Sequence, residues 1–271
     1  MNKIGIGIIT CNRSNYLRDL LSTLVQCDKI VDELVVVNDG KPVDNFDLHR
    51  GVWIDNETNL GVGRSKNKAI EYLMAKGCKY IFLLEDDIII KDKDVFYKYI
   101  KASQVSGIQH FNFAFHGTDN YNNDGTPATK LKVEYSKDVA VCLYPNVYGA
   151  FSFYTRKCIE EAGYMDSFYY NAMEHVDHTN EIIKKNMHPP FRWFADIADS
   201  QNYISEIDQG HSGSEIRRDE TWIQNFHKAA DYFAKKQGFD VRIPSQIASK
   251  DDVIASLNNI KRAYGQKNSG H

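Results

Sequence analysis

No CxxC pair occurs among the five cysteines, and their number is odd: Cys11, Cys27, Cys78, Cys142 and Cys158 are scattered singly. That pattern gives neither a disulfide framework nor a thiolate zinc site. No apolar run approaches the ~20 residues that span a bilayer. Met1–Thr10 is apolar but too short for a signal sequence with its flanks. Charge of one sign is also lacking: the net charge is -3, so there is no global basic field for nucleic acid or anionic membrane. Internal repeats and low-complexity tracts are missing too. These absences point to a globular protein in a reducing, cytoplasmic setting, with peripheral membrane association left open. The aromatic share, 12%, supports a substantial core or a stacking cleft.

What is there is an alternation of strand-like and helix-like runs. Ile4–Thr10 is β-branched and apolar. Ser14–Val25 spaces Leu17, Leu20, Leu21 and Leu24 as a helix does, with Ser14 as its N-cap. Glu33–Val37 and Val52–Asp55 read as strands, Val62–Lys76 as a helix closed by Gly77, and Tyr80–Leu84 as a fourth strand. This order predicts an α/β fold with a mostly parallel sheet and helices on its faces. Further on, Gln109–Phe115, Val139–Leu143, Phe151–Tyr154 and Arg192–Ile197 read as strands. Asp92–Val105, Arg156–Ala162, Asn171–Asn186, Glu215–Gln237 and Asp251–Tyr264 read as helices.

In such sheets ligands lie beyond the carboxyl ends of the strands. Four of those ends are polar: Thr10–Arg13, Asn38–Asp39, Asn56–Asn59 and Glu85–Asp87. The last interrupts an apolar run, YIFLLEDDIII, with three adjacent carboxylates. Like charges repel, and buried unpaired carboxylates are costly. Strand alternation predicts Glu85 and Asp87 on one face and Asp86 on the other. Such a pair can hold a divalent cation, and oxygen ligands suit Mg²⁺ or Mn²⁺. The bland alternative is a solvated acidic turn.

Residues 3–214 resemble the GT-A glycosyltransferases, glycosyltransferase family 2 in particular. Ile8-Ile9-Thr10-Cys11-Asn12-Arg13 is similar to the family's T-x-N-R-type turn. Val37-Asn38-Asp39-Gly40-Lys41 is similar to its V-D-D-G-S turn, with Asn38 and Lys41 as departures. Asn59-Leu60-Gly61-Val62-Gly63-Arg64-Ser65-Lys66-Asn67 is similar to N-x-G-x-x-x-A-R-N, whose basic residue is Lys66 or Arg64 here. Glu85-Asp86-Asp87 matches the DxD metal motif with Glu in the first place. Gly149–Tyr154, followed by Arg156 and Gly163–Asp166, is similar to the glycine loop and G-G-F-D segment. Glu174-His175 falls on the E-D motif that carries the base, with His in the second place. His211, in the glycine-flanked loop Asp208–Ser214, falls where GT-A enzymes often supply a further metal ligand.

The resemblance implies a GT-A fold and a metal-dependent inverting transferase, hexosyl or N-acetylhexosaminyl. It would move a sugar from a nucleotide-diphosphate sugar, UDP-linked by analogy, to a hydroxyl of a glycan or other acceptor. Residues 1–95 would form the nucleotide-binding half and 96–214 the acceptor-side half of one domain, with 215–271 a helical extension packed on it. Thr10, Asn12, Arg13, Asp39, Arg64, Lys66, Asp86 and Gly149 would bind the donor. Glu85, Asp87 and His211 would hold Mn²⁺ or Mg²⁺, an imidazole ligand favouring Mn²⁺.

The residues of the 171–186 segment themselves offer several bases. Glu174, Asp177 and His178 fall three and four apart on one helix face, with His175 beside them. A histidine, or a carboxylate raised by burial, can deprotonate an acceptor hydroxyl. Glu174 comes first, then His175, then Asp177. Trp193 and Trp222 are each a candidate for stacking on a sugar or an ordinary core aromatic. Two other readings stay open. One is a different nucleotide-dependent enzyme such as a nucleotidyltransferase, although the GxG at Gly5-Ile6-Gly7 lies inside a strand. The other is a non-catalytic nucleotide-sugar or carbohydrate-binding module on a degenerate transferase fold, which the departures at Glu85 and His175 allow.

Overall fold

A computed structural model describes residues 2–43, 48–207, 220–243 and 248–266. The central sheet has six strands in the order β3-β2-β1-β4-β9-β6. These are β1 (Ile4–Thr10), β2 (Glu33–Asn38), β3 (Val52–Asp55), β4 (Tyr80–Glu85), β6 (His110–Asn112) and β9 (Phe151–Thr155). Strands β1 to β4 are parallel, whereas β9 pairs antiparallel with both β4 and β6. The reversal has a consequence for the site. Because β9 runs backwards, its start rather than its end lies at the carboxyl edge of β4, with Leu84 opposite Phe151. The residues before β9, Gly149 and Ala150, are therefore delivered beside Glu85, whose N–H donates to the Ala150 carbonyl at 2.8 Å.

Buried β-branched and aromatic residues explain the central position of β1, β4 and β9, which are buried throughout apart from the half-buried Glu85. Helix α2 (Val62–Ala75) packs on one face, with α4 (Arg156–Ala162) and α5 (Glu174–Lys184). Helices α1 (Ser14–Leu24), α3 (Val95–Ser106) and α7 (Lys250–Tyr264) cover the other. A small antiparallel sheet of β7 (Leu131–Ser136), β8 (Val139–Tyr144) and β10 (Phe194–Ile197) closes that side. Helix α6 (Trp222–Gln237) packs on the α5 region through Ala229, Ala230 and Phe233. No described helix is long and apolar enough to cross a membrane.

Three local expectations change. Ser14 is the first helical residue and not the N-cap, because Asn12 turns with φ +56° and leaves Arg13 at the cap position. Helix α5 starts at Glu174, three residues late, since Met173 has φ +71°, which a helix cannot continue. Strand β4 stops at Glu85, and Asp86-Asp87 turn into the short strand β5 (Ile88–Ile90), which pairs with β11 (Ile204–Glu206).

Candidate active site

The turn at Asp86 decides what the three carboxylates do. Alternation between faces holds only while a chain stays extended, so the expected grouping of Glu85 with Asp87 does not form. Asp86 is fully buried and accepts from Thr10 Oγ1 at 2.7 Å. The Arg13 guanidinium lies against Asp86 and reaches Asp87 Oδ2 at 3.1 Å. Burial pushes the Asp86 carboxyl up to about 7, with Arg13 opposing and Asp87 reinforcing the shift. Asp87 Oδ1 is buried without a hydrogen-bond partner among the described residues.

Glu85 turns instead towards α2. Its Oε1 accepts from Lys66 Nζ at 2.7 Å. Lys66 is 1% exposed and donates also to the Gly149 carbonyl at 3.0 Å. A third partner, Glu174 Oε1, lies 3.5 Å from the same nitrogen. Burial opposes the charge on Lys66, but Glu85 and Glu174 outweigh it and keep its pKa above the ordinary lysine value. Gly149 has no room for a side chain: an added Cβ would lie 2.7 Å from Lys66 Nζ and 3.1 Å from the His175 ring.

Glu174, 3% exposed, also meets His175 Nδ1 at 3.0 Å. Burial works to raise its pKa, yet His175 and Lys66 prevail and hold Glu174 at about 2. It is therefore a fixed anion across the working pH range. The His175 side chain is the more exposed of the two, and its Nε2 lies 3.3 Å from the Val147 carbonyl. Both ring nitrogens thus face acceptors, and a neutral ring can donate to only one. Glu85, His116, Gly149, Glu174 and His175 line one cavity of about 250 Å³.

A second cavity, about 510 Å³, opens at the ends of β1, β2 and β3 and is lined by Asn12, Asp39, Lys41, Asp55, Asn56 and Asn59 among others. Asp39 is 3% exposed. Its Oδ1 accepts from Asn56 Nδ2 at 2.6 Å and Leu60 N at 2.7 Å, and its Oδ2 from Gly61 N at 2.9 Å. Gly61 takes φ +87°, a conformation that favours glycine. Asn12 Oδ1 accepts from Lys41 N at 2.9 Å.

The fold thus brings Thr10, Arg13, Asp86 and Asp87 together, and separately Glu85, Lys66, Gly149, Glu174 and His175. Two candidates lie elsewhere. Asp177 does not line the cavity but accepts from Lys236 Nζ at 2.7 Å and Gln237 Nε2 at 2.6 Å on α6. Helix α6 covers it there, and Lys236 and Gln237 take one carboxylate oxygen each. Arg64 donates twice to the Ser167 carbonyl, at 3.1 and 2.8 Å. His211 lies outside the described residues. Ile207, four positions earlier, donates its N–H to the Asp87 carbonyl at 2.8 Å.

His116 was not anticipated. Its Nδ1 lies 3.1 Å from Glu206 Oε2, and although burial disfavours its charge, Glu206, Asp87 and Glu85 raise its pKa. A signal was available: β6 is parallel in direction to β4, so the His116-Gly117 pair after FNFAF falls on the ligand edge.

Among the described residues no cluster of three or more histidine, cysteine or acidic groups is arranged to hold a metal ion. The unpartnered buried oxygen of Asp87 is nevertheless the kind of hard donor that fits Mg²⁺ or Mn²⁺.

Known proteins are similar to this chain. An uncharacterised glycosyltransferase of Acanthamoeba polyphaga mimivirus is 25% identical over 251 residues, which covers 88% of this chain and 94% of the relative. The S. aureus TarS 1–349 crystal structure matches with a TM-score of 0.56 and 15% identity, over 98% of this chain and 73% of that one. The mannosyltransferase PcManGT from Pyrobaculum calidifontis, in complex with GDP-Man and Mn²⁺, matches with a TM-score of 0.56 and 12% identity, over 98% and 76%. These likenesses show the GT-A fold. The family described as Glycosyl transferase family 2 matches residues 6–162, more than half of the chain, and the chain belongs to that family.

Proposed function

We propose that this protein transfers a sugar, with inversion, from a nucleotide-diphosphate sugar to an acceptor hydroxyl. The observation that carries the reading is the cavity in which Glu85 of the acidic motif, the Gly149 backbone and the Glu174–His175 pair converge around Lys66. The nucleoside occupies the cavity beside Asp39 and Asn12, and the diphosphate runs past Arg13 towards Asp87. Residues 1–214 carry this chemistry, and the extension 215–271 shapes the acceptor side.

His175 takes the acceptor proton. Glu174 is held ionised at about 2, too acidic to act as a base near neutrality, so its role is to position and polarise the imidazole. The reversed ranking of the two residues follows from His175 itself and from Lys66, which together keep the buried carboxylate charged. Lys66 also fixes Glu85 against the glycine loop. A divalent ion held by Asp87, with His211 as a further candidate, would supply Lewis-acid stabilisation to the departing diphosphate.

The test is nucleotide release from a panel led by UDP-GlcNAc and GDP-Man, the ligands in the TarS and PcManGT complexes, with and without Mn²⁺. Release of one nucleotide is expected. His175→Ala should lower kcat by about 10²–10⁴ while the Kd for the same nucleotide sugar changes little. A non-catalytic binding module would instead bind a nucleotide sugar and release nothing, even with acceptors supplied. Absence of both binding and release across all bases would end the transferase reading.

A further inference from the structure

The cavity that holds Glu174 and His175 extends beyond α5. Trp222 and Phe226, one turn apart at the start of α6, line it as well. Their rings stack with centroids 5.9 Å apart and 22° between planes. Helix α6 buries Ala229, Ala230 and Phe233 for its own packing, whereas Trp222 and Phe226 are only half-buried. Phe226 rests on the cluster that contains Tyr169 and Met173, and Trp222 continues the stack outward. The helix that carries this wall is pinned to α5 at its other end. Lys236 and Gln237 of α6 both donate to Asp177 of α5, and Asn180 donates to Gln237 at 2.9 Å.

One wall of the cavity is thus aromatic, and the others carry His116, Asn171, Glu174 and His175. A pyranose has a matching character, an apolar C–H face with hydroxyls round its rim. An alkyl chain would match the apolar lining, such as Val62, Val147 and Met173, but bring no hydrogen-bonding group to the polar side chains. An aromatic face is also a low-entropy contact, since it has two side-chain torsions to fix. We infer that Trp222, backed by Phe226, is a stacking platform for a sugar ring of the acceptor, and that the acceptor is a glycan. The inference rests on the transferase reading and adds the acceptor class to it.

The test is an NMR titration of the full chain with short chito-, manno-, malto- and cello-oligosaccharides. The Trp222 indole N–H resonance is assigned by its loss in Trp222→Phe. At least one saccharide should shift that resonance. Trp222→Ala should weaken the same saccharide about tenfold or more, and Trp222→Phe should restore most of the affinity. If Trp222→Ala does not fold, the resonance shift in the unchanged chain decides. No shift with any saccharide, or equal affinity in Trp222→Ala, overturns the inference. So does a shift produced only by serine- and threonine-rich peptides or by a polyprenyl phosphate. Nucleotide-sugar binding is measured on the same samples. Its presence without a saccharide signal sinks only the platform, whereas its absence sinks the transferase reading beneath it.

Discussion

At the scale of single residues, Lys66 sets the character of the site. Its ammonium is the shared counter-charge of Glu85 and Glu174 and a donor to the Gly149 carbonyl. Removing one member of a buried ionic cluster leaves uncompensated charge, which typically costs about 3–5 kcal/mol. Lys66→Met should therefore lower unfolding free energy by several kcal/mol in urea titrations, and activity should fall with it. Gly149→Ala is a more local probe, because the new methyl meets Lys66 Nζ and the His175 ring and removes no charge. We expect that variant to fold with a lowered melting temperature, because the buried Nζ must move, and to lose most turnover. Normal turnover in Gly149→Ala would mean that the Lys66–His175 contact region is not at the reacting centre. The sequence shows the members of this cluster as motif residues, but not their pairing. Lys66 reads there as a diphosphate cation; its burial between two carboxylates depends on α2 lying across the ends of β4 and α5.

At the scale of elements, the long periodic helices and the buried parallel strands were legible from apolar spacing alone. Three short strands were not. β7 alternates half-buried and exposed residues over LKVEYS, a pattern that alternation could have found. β5 and β11 are three residues each and exist through their mutual pairing, which no local signal encodes. Helix α7 is the clearest case of local chemistry fixing a boundary. Ser249 Oγ accepts from Asp252 N at 3.2 Å, and Asp252 Oδ2 accepts from Ser249 N at 3.3 Å, a reciprocal capping box. Ser249→Ala should cost about 1 kcal/mol, read as a lower urea midpoint, with nucleotide-sugar affinity untouched because α7 packs on α3, away from both cavities.

At the scale of the whole molecule, three buried imidazoles lie close together: His110, on β6, is 5.7 Å from the His188 ring, and Tyr154 contacts both His110 and His178. His188 Nδ1 donates to the Pro189 carbonyl at 2.8 Å and its Nε2 accepts from Ala195 N at 3.2 Å, which assigns a neutral ring. Burial lowers His188 to about 4, and lowers His110 and His178 as well. A histidine whose folded pKa lies below its unfolded value binds fewer protons when folded. Stability therefore falls as pH drops from about 6.5 through the folded pKa. Burial pushes Asp196 the other way, to about 7, despite four donors from Tyr99, Ser200, Ala114 and Ile197. Its contribution rises as pH falls through the same window, so the two trends partly cancel. Comparison of His188→Gln with the parent isolates one of them. Between pH 7 and pH 4.5 the parent should lose about 2–3 kcal/mol more than the variant, measured by urea unfolding at the two pH values. Equal losses would mean that His188 is not buried in its neutral form.

The sequence by itself determined the layered α/β plan, the polar strand ends and the residue types available at the ligand edge. Those features follow from local periodicity and from the rule that such sheets bind ligands at one edge. Only the tertiary structure decided which carboxylate meets which cation. The turn at Asp86 gave Arg13 two acids and released Glu85 to Lys66, and the backward run of β9 carried Gly149 to Glu85. Those pairings join segments far apart in the chain, and their strength comes from attraction between opposite charges in a low-dielectric interior that no local pattern reports. The ionised state of Glu174, and with it the assignment of His175 as the proposed base, is a property of that buried arrangement.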